Sequence, residues 1–214
     1  HADVEADAVW DSKHGLAADE RKKRSRKDIA TSTAADLPDF IDPQLCNKLD
    51  RPPPGDDWLH EIKLDGYRIQ MRVADGAVTL KTRKGLDWTA KYPEIAQAAS
   101  EVSDCIIDGE ICALDENGAP DFAALQAALS EGKTGDLVYF AFDLLFDGGE
   151  DLRSMRLVER KERLQNLLAE ADDDPRIRYV EHFESGGDAV LRSACRLHLE
   201  GVVSKQMDAP YQSG

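Results

Sequence analysis

Four short stretches carry charged side chains where a plain core would not need them. They are Glu61 and Lys63 with Asp65 and Arg68, Asp108 with Glu110, Asp143 beside Phe142, and Glu200 with Lys205. Residues two apart on an extended strand point to one face, so Glu61 and Lys63 share a face, as do Asp108 and Glu110. Glu200 and Lys205 are five apart. On an ideal strand they face opposite ways, so a bulge or the end of the strand must intervene if both serve one pocket. The chemistry open to such a set is that of an amine among carboxylates and further cations. A lysine attacks only as the free amine, and with a usual pKa of about 10.4 only about one in 2,500 is free at neutral pH. A pKa lower by about three units removes most of that penalty, roughly 4 kcal/mol. Burial and neighbouring positive charge both act in that direction.

Taken singly, each stretch has a plain explanation. A lysine at a strand end is a surface charge, "DGE" is a turn, "FDLL" is a core strand, and Glu200-Gly201 is a loop before a buried strand. Their joint order along the chain is what draws them together, and it depends on the elements that position them.

Those elements begin near residue 37. "YRIQMRV" (67–73) alternates, with Tyr67, Ile69, Met71 and Val73 on one face and Arg68, Gln70 and Arg72 on the other. Trp58 to Val73 reads as a strand, a turn at Gly66, and a return strand beginning at Arg68. Asp75-Gly76 is a hairpin signal, and "VTLKTR" should pair back antiparallel. "YPEIAQAASEV" reads as a helix with Pro93 in its first turn. "CIIDGEICAL" is an apolar strand with an acidic pair at its middle, and "DFAALQAAL" is a short helix. "LVYFAFDLLF" reads as a buried strand. Residues 156–170 form a charged amphipathic helix. "IRYVEHF" is a strand, "GGDAVLRSACRLH" a helix and "EGVVSK" a last strand. Hairpins mixed with helices predict an α+β domain with mainly antiparallel sheets flanked by helices. No glycine-rich phosphate loop of the P-loop or dinucleotide-binding type occurs, so neither of those folds is indicated.

Composition narrows the class. The chain has 214 residues, 42% of them apolar, and a net charge of −15. That length suits one large domain or two small ones, and the apolar content is enough for a packed core. The acidity argues against a generally basic nucleic-acid coat, though not against a local basic groove. Cysteines at 46, 105, 112 and 195 form no CxxC pair. No zinc or thioredoxin-like site is signalled, and reduced thiols in an intracellular protein are the plain reading. No apolar run is long enough for a membrane span, and the polar, acidic N-terminus is no secretory signal. Residues 1–36 read as a linker or extension. Within them "RKKRSRK" (21–27) holds six basic residues in seven. It reads either as a solvated tail or as a nucleic-acid arm.

The ordered motifs resemble the covalent nucleotidyltransferase superfamily of ATP-dependent DNA ligases, RNA ligases and mRNA capping enzymes. "KLDGYR" (63–68) is similar to the signature K-x-D-G-x-R. "TRKG" (82–85), "DGE" (108–110), "FDLL" (142–145) and "EGVVSK" (200–205) follow in the family's order, with Lys84 where Asn is commoner. The resemblance covers residues 37–214 and looks closest to the ligase portion of multidomain bacterial end-joining ligases.

What the resemblance implies is specific. The fold is the nucleotidyltransferase (ATP-grasp-like) domain of DNA ligases. Lys63 attacks the α-phosphate of ATP to give lysyl-AMP and pyrophosphate. AMP then passes to a DNA 5′-phosphate, and a 3′-hydroxyl displaces it to seal the strand. Glu61, by side chain or backbone, accepts from the adenine amino group, Ile62 also binds the nucleotide, Phe142 stacks on the base and Glu110 accepts from the ribose. Arg68 and Arg83 donate to ribose or phosphates and face the DNA terminus. Lys205 supplies charge to the phosphates, and Glu200 holds Mg²⁺ or Mn²⁺. The implied partners are nicked or broken double-stranded DNA, an OB-fold domain, and polymerase and phosphoesterase domains, in the bacterial cytoplasm. The alternatives left open are an RNA ligase, a capping-type enzyme, or a non-catalytic nucleotide-binding scaffold. The sequence stops at "DAPYQSG", before the family's last lysine motif and OB-fold. The expectation for this stretch alone is a nucleotide pocket with weak self-adenylation and no efficient nick sealing.

Overall fold

Strand alternation and turn chemistry build two sheets. The computed structural model describes residues 37–171, 174–184, 186–197 and 199–213, so the expected extension at 1–36 and its basic run lie outside the described residues. In chain order the elements are β1 (Trp58–Ile62), β2 (Tyr67–Ala74), β3 (Ala77–Thr82), α1 (Pro93–Ala99) and β4 (Cys105–Cys112). Then come α2 (Phe122–Glu131), β5 (Val138–Asp147), β6 (Glu150–Asp151), α3 (Leu157–Glu170), β7 (Ile177–Tyr179), α4 (Gly187–Arg196) and β8 (Val202–Gln206).

The hairpin forms where the turn signal put it. Asp75 and Gly76 take φ of 50° and 73°, the positive values a tight two-residue hairpin turn requires. β2 then pairs with both β3 and β4, and the large sheet runs β3-β2-β4-β5-β6. All its pairings are antiparallel except that of β7, which lies parallel to β5. α2 starts where the Asp121 side chain accepts from Ala124 N at 2.9 Å and stops at Gly132 in the left-handed region.

Two expectations need correction. β1 and β2 are not a strand and its return, because β2 has an occupied partner on each edge. β1 instead pairs antiparallel with β8 in a separate two-stranded sheet. The expected strand "IRYVEHF" is only three residues long, after which the chain leaves the large sheet. Phe183 then exchanges backbone hydrogen bonds with His60 on the other edge of β1.

The apolar face of β2 (Ile69, Met71, Val73) packs with Ile107, Ile111, Tyr139 and Leu144 under α1, α2 and α3. The opposite face is not left to solvent. The segment from Leu37 to Gln44 crosses it, and the polar side chains of β2 bind that segment's backbone. Gln70 holds Ile41 N and O at 2.9 Å each, Arg68 Nη1 donates to Gln44 O at 2.7 Å, and Arg72 reaches Pro38 O at 3.2 Å. Leu37, Ile41 and Tyr211 then join Ile106, Leu145 and Phe146 in a second apolar cluster.

Candidate functional site

Lys63 follows the last residue of β1, and the partner strand fixes its place. Its backbone N donates to Gly201 O at 2.9 Å. The side chain forms an ion pair with Glu200, and the two side chains are 45% and 43% exposed. Glu200 precedes β8, so the strand-end alternative accounts for the five-residue spacing. Glu200 turns to Lys63, while Lys205, inside β8, turns to Glu61. Asp65, Pro120 and Leu199 join Lys63 and Glu200 around an open cleft of about 170 Å³.

Gly66 closes the turn for a steric reason. A Cβ there would collide with the carbonyl oxygen of Ile111 on β4. The approach brings Gly66 N to donate to Glu110 Oε1 at 2.9 Å. Burial pushes the Glu110 carboxyl up to about 7, against the pull of that hydrogen bond, Lys63 and Arg68.

Behind Lys63, β1 turns its charge inward. The buried Glu61 carboxylate meets Lys161 Nζ at 2.5 Å and Lys205 Nζ at 2.6 Å. Burial alone would raise this carboxyl, but the two lysines outweigh it and hold Glu61 below its usual value. With its side chain so engaged, the backbone is the part of this stretch left to face a ligand. His60 N and O bond Phe183, and alternation turns the N–H and C=O of Ile62 to that same edge. Lys205 also lies over the Phe142 ring at 4.5 Å, and Arg68 lies 5.4 Å from it.

Arg68 gives its donors to protein. It grips Asp108 through Nε at 3.1 Å and Nη2 at 2.6 Å, and Tyr211 OH donates to the same carboxylate at 2.7 Å. Asp108 lies opposite Asp143 on β5. Two facing carboxylates repel, and each has its own arginine. Asp143 is held by the buried Arg160 at 2.8 and 2.9 Å. Arg83 is exposed in the turn after β3 and shares a shallow recess with Phe40, Arg68 and Asp108.

The predicted residues thus fall into three linked groups. Lys63, Glu200 and Asp65 line the cleft, and Glu110 holds the Gly66 turn beside them. Glu61, Lys205 and Phe142 lie behind it, and Arg68 with Asp108 braces β2 against β4. Among the described residues no cluster of three or more His, Cys, Asp or Glu side chains has metal-site geometry. Glu200 and Asp65 nevertheless suit a magnesium-type ion, which takes one or two carboxylates and completes its shell with water and phosphate oxygens.

Sequence reasoning missed Arg160 and Lys161, both buried. "ERKER" reads as solvated helix charge, yet a signal was present. Residues 157, 160, 161, 164 and 167 form one helical stripe, and these cations occupy positions where leucines stand on either side.

Comparison with known proteins gives a consistent result. The family described as ATP dependent DNA ligase domain matches residues 43–214. The multifunctional non-homologous end joining protein LigD of Pseudomonas aeruginosa is 40% identical over 203 residues, covering 94% of this chain and 24% of that protein. The LigD DNA repair protein of Mycobacterium tuberculosis is 35% identical over 162 residues, covering 73% of this chain and 20% of its own. A solved structure of mycobacterial DNA ligase D complexed with ATP and MES matches with a TM-score of 0.65 at 32% identity, over 73% of this chain and 50% of that one. The chain therefore spans a quarter or less of the length of these curated relatives.

Proposed function

The chain belongs to the ATP-dependent DNA ligase family, and on that premise we propose that it forms a lysyl-adenylate on Lys63 as the first step of DNA strand joining. The supporting observation is Lys63 itself, exposed at an open cleft and ion-paired with Glu200. In the reaction Lys63 Nζ forms a bond to the α-phosphorus of ATP. The bond from that phosphorus to the bridging oxygen breaks, and pyrophosphate leaves with the electron pair. Attack needs the amine, so the ammonium gives one proton to solvent and parts from the Glu200 carboxylate, and the nitrogen sheds a second proton to solvent once the new bond has formed. Glu200, with Asp65 across the cleft, would hold Mg²⁺ or Mn²⁺, whose charge offsets that of the phosphates.

Position supports the remaining proposed roles. The free edge of Ile62 suits backbone hydrogen bonds to an adenine, Phe142 offers a stacking face, and Glu110 offers an acceptor to the ribose. Lys205 supplies charge to the phosphates. The exposed Arg83 suits a phosphate of nucleotide or DNA, while Arg68 acts through Asp108 and Phe142. AMP then passes to the 5′-phosphate of nicked or broken double-stranded DNA, and the neighbouring 3′-hydroxyl displaces it. The end-joining relatives support a bacterial, cytoplasmic setting within a longer repair polypeptide. No helix among the described residues is long and apolar enough to cross a membrane.

The family match favours this reading over an RNA ligase, a capping-type enzyme or a scaffold. The test is incubation with α-labelled ATP or GTP and Mg²⁺. Label should enter the protein from ATP, not from GTP, and not in Lys63→Ala, whose fold should be unchanged by circular dichroism. Labelled AMP on a folded Lys63→Ala variant would overturn the assignment.

A further inference from the structure

Lys161 has no place in the chemistry above, yet it is among the most buried side chains of the protein. Its Nζ has three donors and three acceptors around it: Glu61 Oε1 at 2.5 Å, Val180 O at 3.1 Å and Phe142 O at 3.4 Å. The neighbouring Arg160 is locked on Asp143 from the same turn of α3. Lys161 is therefore fixed. The other cation on Glu61 is not fixed in the same way. Lys205 is about a fifth exposed, against 1% for Lys161, and it lies over the Phe142 ring. A base stacked on that ring competes with Lys205 for the space, and the phosphates of the same ligand offer the displaced ammonium a new partner.

Charge counting shows what Lys161 adds. Glu61 with two lysines carries a net +1, so one lysine can leave and a neutral buried pair remains. Without Lys161 the departure of Lys205 would strand a buried carboxylate, which is strongly disfavoured. We infer that Lys161 is a positioning residue, the standing counter-charge of Glu61 that lets Lys205 leave that carboxylate for the phosphates of a bound nucleotide. The inference rests on the adenylation reading.

Its test compares single-turnover formation of lysyl-AMP in the wild type, Lys161→Met and the double variant Lys161→Met/Glu61→Gln. In Lys161→Met the remaining buried pair holds Lys205, and adenylation should fall by at least about a hundredfold, the lower end of the scale of leaving a buried charge unpaired. In the double variant nothing holds Lys205, and most of the rate should return. A role for Lys161 confined to packing and to the carbonyls of Val180 and Phe142 predicts no such rescue. A Lys161→Met variant as fast as wild type, or a double variant no faster than Lys161→Met, overturns the inference. Wild-type protein supplies a second arm that no folding defect can obscure. With lysine labelled at Nζ, NMR during titration with α,β-methylene-ATP, which cannot transfer AMP, should show the Lys205 signal moving and the Lys161 signal staying. Both signals moving, or neither, contradicts the inference. A wild type that takes no label from ATP but shows the split of signals contradicts the proposed reaction and leaves this inference standing.

Discussion

Glu110 shows how burial sets chemistry at a single residue. Its carboxyl is pushed up to about 7 chiefly by desolvation, and the Gly66 amide and Lys63 recover only part of the loss. The folded protein thus holds this proton more tightly than the unfolded chain. The stability contributed here is full below about pH 4.5 and is lost as pH rises through about 7. Glu110→Gln should flatten that dependence. Thermal midpoints measured across this range should change less in the variant than in the wild type, and parallel curves would contradict the role of desolvation. At Glu61 the balance goes the other way, since two lysines outweigh the same penalty. Motif and parity singled out Glu61, Lys63 and Lys205 as candidates in the sequence. They did not reveal that Glu61 and Lys63 take different partners, because strand parity ends with the strand at Ile62.

Among the elements, helix α3 is a buried electrostatic brace as much as a core helix. Arg160 neutralises Asp143, which lies opposite Asp108, and Arg68 neutralises Asp108 from β2. Arg160→Met leaves Asp143 buried without its cation. It should lower unfolding free energy by about 3–5 kcal/mol, read from the urea midpoint, and an unchanged midpoint would contradict the brace. Gly66 is the matching steric constraint, since any Cβ meets the Ile111 carbonyl. Gly66→Ala should cost about 1–3 kcal/mol and shift Lys63 out of its place in the cleft, seen as slowed lysyl-AMP formation. The order and type of elements were legible because hairpin turns, helix starts and alternation are local signals. Which strands pair is not local. β1 lost β2 as a neighbour only because β3 and β4 already occupy its edges. The buried cations of α3 were likewise hidden, since a lysine at a stripe position looks like a solvated charge until its partner strand is in place.

At the scale of the whole molecule, a net charge of −15 must, in the proposed reaction, coexist with a polyanionic nucleotide and with DNA. The basic residues 21–27 are the densest positive run in the chain. If they form a nucleic-acid arm, replacing their lysines and arginines with serine should weaken binding to a nicked duplex at low salt. The slope of log affinity against log salt should flatten by about 0.9 for each phosphate that the arm no longer neutralises. Fluorescence anisotropy over a salt series reads both quantities, and identical slopes would assign the run to a solvated tail. The most direct test of lysyl-adenylate formation is intact mass after incubation with ATP and Mg²⁺, followed by peptide mapping. The expected result is an increment of one AMP, located on Lys63 and removed by pyrophosphate. An unmodified protein, or AMP mapped to another lysine, would contradict it.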